Sequence, residues 1–193
     1  MAGGHIAEAV GFLISTLFGL YLIAVALRFM LQYVRADFYN PISQFVVAVT
    51  NPPLRPLRRL IPGFRGIDWP CLVLLLLLKM TELGLLGLVY SGRLLAPAGL
   101  IVLSFAEILN LVVYIFIFAV FIQVVLSWVN PDAYNPVTII VHRLTDPLMR
   151  PARRWVKPVG GLDFSPVVVL IALQLIVILI IRPLTDLGRS LAH

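Results

Sequence analysis

Residues 37–68 read DFYNPISQFVVAVTNPPLRPLRRLIPGFRGID, and residues 132–163 read DAYNPVTIIVHRLTDPLMRPARRWVKPVGGLD. The second stretch lies on the first at an offset of 95 residues without a gap, and 13 of the 32 positions are identical. Asp37, Tyr39, Asn40 and Pro41 fall on Asp132, Tyr134, Asn135 and Pro136. Thr50, Pro52, Arg55, Pro56, Arg58 and Arg59 fall on Thr145, Pro147, Arg150, Pro151, Arg153 and Arg154, and Gly66 and Asp68 on Gly161 and Asp163. Many of these are polar or turn-forming types, which a shared taste for hydrophobic residues does not explain. The chain is one supersecondary unit written twice.

What flanks the two stretches is apolar. The chain of 193 residues is 61% hydrophobic and 12% charged, against roughly 45–50% and 25% in soluble domains, and its mean hydropathy is +1.01. A soluble globule of this size has too few charges to wet its surface. Soluble enzymes, disordered chains and disulfide-stapled secreted domains are excluded, the last also because Cys71 is alone. Four stretches meet the need for about 20 apolar residues: 6–34, 69–90, 101–129 and 166–184. Residues 1–27 hold no Lys or Arg, so the first is expected to be a span rather than a cleavable signal peptide. The expected fold is an all-α membrane protein with four transmembrane helices in two tandem parallel repeats. The first repeat is 6–90 with loop 35–68, the linker 91–100, and the second repeat 101–184 with loop 130–165.

Each loop has a legible design. Asn40-Pro41 and Asn135-Pro136 pair an N-cap with a proline at the first helical position. Ile42, Phe45, Val46 and Val49, and Val137, Ile140, Val141 and Leu144, form one apolar stripe in each copy. Asn51-Pro52 and Asp146-Pro147 are expected to stop this helix and start a second segment, kept short or kinked by Pro56 and Pro151. Arg55, Arg58 and Arg59, and Arg150, Arg153, Arg154 and Lys157, cluster there, with Trp155 as an interfacial anchor. Such loops predict amphipathic helices in the plane of the headgroups.

The combination of Tyr39-Asn40-Pro41, the proline- and arginine-rich run Thr50–Arg59 and Gly66-Ile67-Asp68, with its second copy, resembles the YggT (YlmG-like) family. The resemblance covers nearly the whole chain, roughly Ile6–Leu184. It implies small membrane proteins of one or two such repeats, without enzymatic activity. It also implies a link to tolerance of osmotic or salt stress, to bacterial division or, in plastids, to haem attachment.

Charge sets the expected topology. Ten of the fifteen basic residues lie in the two long loops, which an even span count places on one side. The positive-inside rule puts both loops in the cytoplasm of a bacterial inner membrane and both termini outside. Parallel repeats should be related by a pseudo-two-fold axis along the membrane normal. The net charge of +6 points to anionic lipid headgroups rather than nucleic acid. Three readings of the loop arginines stay open: topology signals, a surface for lipid headgroups, or a dock for an acidic cytosolic partner. Retention of arginine rather than lysine at all three matched positions favours forked contacts to phosphate or carboxylate.

Polar groups inside the spans are functional candidates by default. The repeat offset pairs Arg28 with Gln123 and Lys79 with Gln174. Arg28 is within snorkelling reach of the loop side. Lys79 is too deep for that and is expected to pair with Glu82 one turn on. Either this pair is a clasp between helices, with Gln174 bonding across the pseudo-axis, or it is a hydrated site for an ion or proton. Gly84 and Gly87 leave room for the close approach of another backbone. His142 and Asp146 lack a third metal ligand in reach, and no nucleophile with a base, phosphate loop or haem-ligand pair is present. No cofactor or metal is expected. Two functions are left: a scaffold or assembly factor for a cytosolic or membrane partner, or a small homo-oligomeric ion-transport protein.

Overall fold

The computed structural model describes residues 2–63, 66–129, 135–156 and 163–192. Helices α1 (Ala2–Tyr33), α2 (Pro41–Leu60) and α3 (Trp69–Ser91) form the first repeat, and α4 (Pro97–Val129) and α5 (Pro136–Trp155) begin the second. Its last span runs from α6 (Ser165–Ile176) through a π-helical turn, Val177–Ile181, into α7 (Arg182–Ala192). The helices α1, α3, α4 and this last run are long and apolar enough to cross a membrane. The chain is an all-α, multi-pass membrane protein.

Cap chemistry starts the loop helices as the Asn-Pro pairs predict. Asn40 Oδ1 accepts from the Ile42 amide at 2.9 Å, and Asn135 Oδ1 from the Thr138 amide at 2.9 Å. The expected break at Pro52 and Pro147 does not occur. Each loop holds one continuous 20-residue helix, with Pro52, Pro53 and Pro56 inside α2 and Pro147 and Pro151 inside α5. Each proline removes one donor from the helical ladder. In α2 the neighbouring span makes up part of the loss. Pro53 leaves the Val49 carbonyl without its helical donor, and the Tyr21 hydroxyl donates to it at 3.4 Å.

The predicted stripe is rotated in α2 and largely kept in α5. α2 turns Ser43, Val46, Thr50 and Leu54 inward, while Phe45 and Val49 are exposed. In α5, Ile140, Val141, Leu144, Thr145 and Met149 are buried and Val137 is exposed. An apolar stripe beside a membrane has two apolar environments to choose from, and here the protein takes the side bearing the small hydroxyls.

The two cores repeat in register. Val25, Leu54 and Leu74 are buried together with Leu22, Ala26, Cys71 and Leu75. Their counterparts at the 95-residue offset, Val120, Met149 and Val169, are buried with Leu173. Met30, Ala119 and Leu144 close the seam between the repeats.

The helix of the fourth candidate span continues past Leu184 to Ala192. Pro183 cannot donate to Leu179, and the Arg182 amide instead bonds five residues back to the Val177 carbonyl. This widened turn lets the helix run on past a residue that would otherwise break it. α7 then lies tightly along the start of α4. A Cβ on Gly99 would collide with the Ala192 backbone, and one on Gly188 with Leu103. The Ala96 amide donates to the Ala192 carbonyl at 3.2 Å. The close approach foreseen at Gly84 and Gly87 is not to another span, because both glycines face the chain just beyond their own helix, at Leu94 and Arg93–Leu95.

Candidate functional site at the loop helices

Arg28 does not snorkel. It is 6% exposed, and its Nη1 lies 3.0 Å from the Val47 carbonyl, 2.8 Å from Thr50 Oγ1 and 2.9 Å from Asn51 Oδ1. These acceptors sit at the turn preceding Pro52, where the helical ladder loses donors. A guanidinium held by fixed acceptors is better satisfied there than by stretching to the headgroups. Thr50 itself donates to the Val46 carbonyl at 2.6 Å, as Thr145 does to Val141 at 2.8 Å. In the second repeat Gln123, the counterpart of Arg28, places Nε2 3.3 Å from His142 Nδ1. His142 occupies the position of Val47. Both matched polar residues therefore do one job: each fastens a loop helix to the span before it.

The loop helices are also joined to each other. Asn40, whose oxygen caps α2, donates through Nδ2 to the Pro136 carbonyl at 2.8 Å. Asn40 is buried and Asn135 is exposed.

The arginines divide into two sets. Arg58 pairs with Asp68, and Arg153 with Asp163 at 3.0 Å, so each loop helix is tied near its end to the entry of the following span. Arg150 pairs with Asp146 one turn back at 2.7 Å. Arg55, Arg59 and Arg154 are exposed, and Trp155 is 89% exposed. Lys157 lies outside the described residues. Partial burial would raise the Asp163 carboxyl, but hydrogen bonding from Ser165 and the charge of Arg153 outweigh it and hold Asp163 below the usual carboxylate range. Its tie to Arg153 is therefore complete above that range and is lost only as the pH falls below it.

Within the spans, Lys79 Nζ meets Glu82 Oε2 at 2.9 Å, with both side chains largely buried. The proposed bond from Gln174 is not made, because Gln174 is exposed on the outer face of α6. Lys79 instead lines a cavity of about 180 Å³ with Glu107, Asn110 and Tyr114 of α4. A neighbouring cavity of about 320 Å³, beside the π turn, is lined by the same three residues with Arg182, Asp186 and Arg189. The repeat comparison misses Glu107 and Asn110 because they fall on Phe12 and Ser15. Their signal in the sequence is a carboxylate and an amide within the otherwise apolar span 101–129.

The sequence model of the CCB3/YggT family matches the chain twice, at residues 7–89 and 102–184. An uncharacterized protein of Pseudomonas aeruginosa is 45% identical over 90% of this chain and 88% of its own length. One from Vibrio alginolyticus is 38% identical over 86% of this chain and 90% of its own. The uncharacterized protein YggT of Escherichia coli K12 is 36% identical over 86% and 85%. No solved structure matches.

Proposed function

The chain belongs to the CCB3/YggT family, and from that premise we propose that it is a non-enzymatic scaffold of the bacterial inner membrane. It presents two basic, amphipathic loop helices at the cytoplasmic surface, with both termini outside, and its partners are anionic lipid and an acidic protein. One observation carries this reading. α2 and α5 are fastened to their spans by Arg28 and Gln123 and to each other by Asn40, while Arg55, Arg59 and Arg154 point outward. Fixed helices present these charges at set spacings, which a flexible topogenic loop does not need. The exposed Phe45, Val49 and Trp155 suit burial at a headgroup boundary. The family resemblance supplies the process, growth under osmotic or salt stress or at division.

A second reading has its own support. The Lys79–Glu82 pair, the cavity shared with Glu107 and Asn110, and the π turn form a polar seam of the kind found at ion and proton sites.

One complementation experiment on osmotic growth separates the two. The first variant changes Arg55, Arg59, Arg150 and Arg154 to Gln, and the second changes Lys79 and Glu82 to Leu. The scaffold reading expects the first to insert normally and fail to complement. It expects the second to be as stable as the parent and active, since apolar packing commonly replaces such an ion pair without loss. A stable, inactive Leu variant together with an active Gln variant would reverse the assignment.

A further inference from the structure

A cavity of about 670 Å³ opens where α1 ends, between α2 and the entry of α3. Arg28, Gln32, Arg35, Ser43, Arg58 and Asp68 supply its polar side chains. Arg58 and Asp68 neutralise each other, so among the described residues Arg28 and Arg35 leave the lining with two positive charges. Two of its groups are buried without a partner. Among the described residues Arg28 Nε and Ser43 Oγ meet no hydrogen-bond partner, although Arg28 is 6% and Ser43 5% exposed. Buried donors in that condition cost about 1–3 kcal/mol each unless something fills the site.

Arg35 gives a second, independent reason. It has φ of +51° and closes α1, with the Ala36 amide returning to the Leu31 carbonyl at 2.9 Å. That left-handed position normally takes Gly or Asn. In sequence, the 95-residue offset puts Asn130 opposite Arg35 and Gln123 opposite Arg28. The first repeat thus keeps a strained arginine and a buried one where its twin uses neutral amides. Helix docking does not require the charge of Arg28, because Gln123 ties α5 to its span without one.

We propose that this cavity binds the phosphate of an anionic ester, with Arg28 Nε, Ser43 Oγ and Arg35 as its donors. Guanidinium forks and a hydroxyl match phosphate oxygens in geometry and charge. Leu31, Phe38 and Val46 complete the lining with apolar surface, which suits a headgroup whose chains lie in the adjoining bilayer. The site shares with the scaffold reading only Arg28, which holds α2, and it can fail separately because its test leaves Arg55, Arg59 and Arg154 unchanged.

The test uses the full chain in phosphate-free maltoside micelles and reads the midpoint of thermal unfolding. Phosphatidylglycerol is titrated in one arm. Sodium phosphate, against sodium chloride of equal ionic strength, is titrated in the other. The comparison variant is R35N with S43A, which copies the second repeat at one position and removes an unpartnered hydroxyl at the other. Both changes are compatible with folding. The parent is expected to gain several degrees, and the variant to lose at least half of that gain. A gain with lipid alone assigns a headgroup, and a gain with sodium phosphate assigns a soluble ligand. Equal gains in parent and variant, or none in either arm, would overturn the proposal.

Discussion

Asn40 uses both ends of its amide, the oxygen to cap α2 and the nitrogen to hold Pro136. The two roles separate in one pair of variants. N40D keeps a capping oxygen and loses the cross-repeat donor, and it should cost about 0.5–1.5 kcal/mol. N40A loses both and should cost about 1 kcal/mol more. Thermal unfolding in detergent reads the difference, and equal losses for the two variants would mean that the tie contributes nothing. The cap was legible in the sequence because its partner lies two residues away. The destination of Arg28 was not. Its acceptors are 19, 22 and 23 residues along the chain, and one is a backbone carbonyl that no residue type marks. Arginine near a helix end suggests snorkelling until the folded loop brings it something better.

At the scale of the element, proline and glycine were the least reliable guides. Four spans and two loop helices follow from hydropathy and cap chemistry, both of which are local. Whether Pro52 or Pro183 ends a helix depends on what receives the freed carbonyls and on what the continued helix touches, and both are tertiary facts. The glycines show the same limit. Gly84 beside the Lys79–Glu82 pair looks like a packing site in sequence, yet an added Cβ there meets nothing closer than Leu94 Cδ2 at 3.9 Å. G84A should therefore be neutral or stabilising by up to about 1 kcal/mol through helix propensity. G99A should lose about 1–3 kcal/mol, because its methyl group enters the backbone of Ala192. Unfolding midpoints for the two variants check the contrast. The reverse order would mean that α7 does not lie against α4.

At the scale of the whole molecule, four spans would put both loops on one side, and the positive-inside rule predicts the cytoplasmic one. A reporter inserted after the exposed Gly63 should behave as cytoplasmic, and one fused after His193 as external. The opposite labelling would place the basic helices at the outer leaflet and remove a cytosolic partner from consideration. The repeats look interchangeable in sequence at the arginine positions, yet the folded halves differ at their meeting point. Asn40 reaches across to Pro136, and among the described residues Asn135 makes no return bond to Pro41. A pair of identical one-repeat chains could form this bridge in both directions; the joined chain forms it once. On the scaffold reading, the pair of loop helices therefore has a left and a right. A ligand that straddles both helices has to seat in a single orientation, one per chain, and a two-fold symmetric ligand would meet a matching surface with only one of its halves.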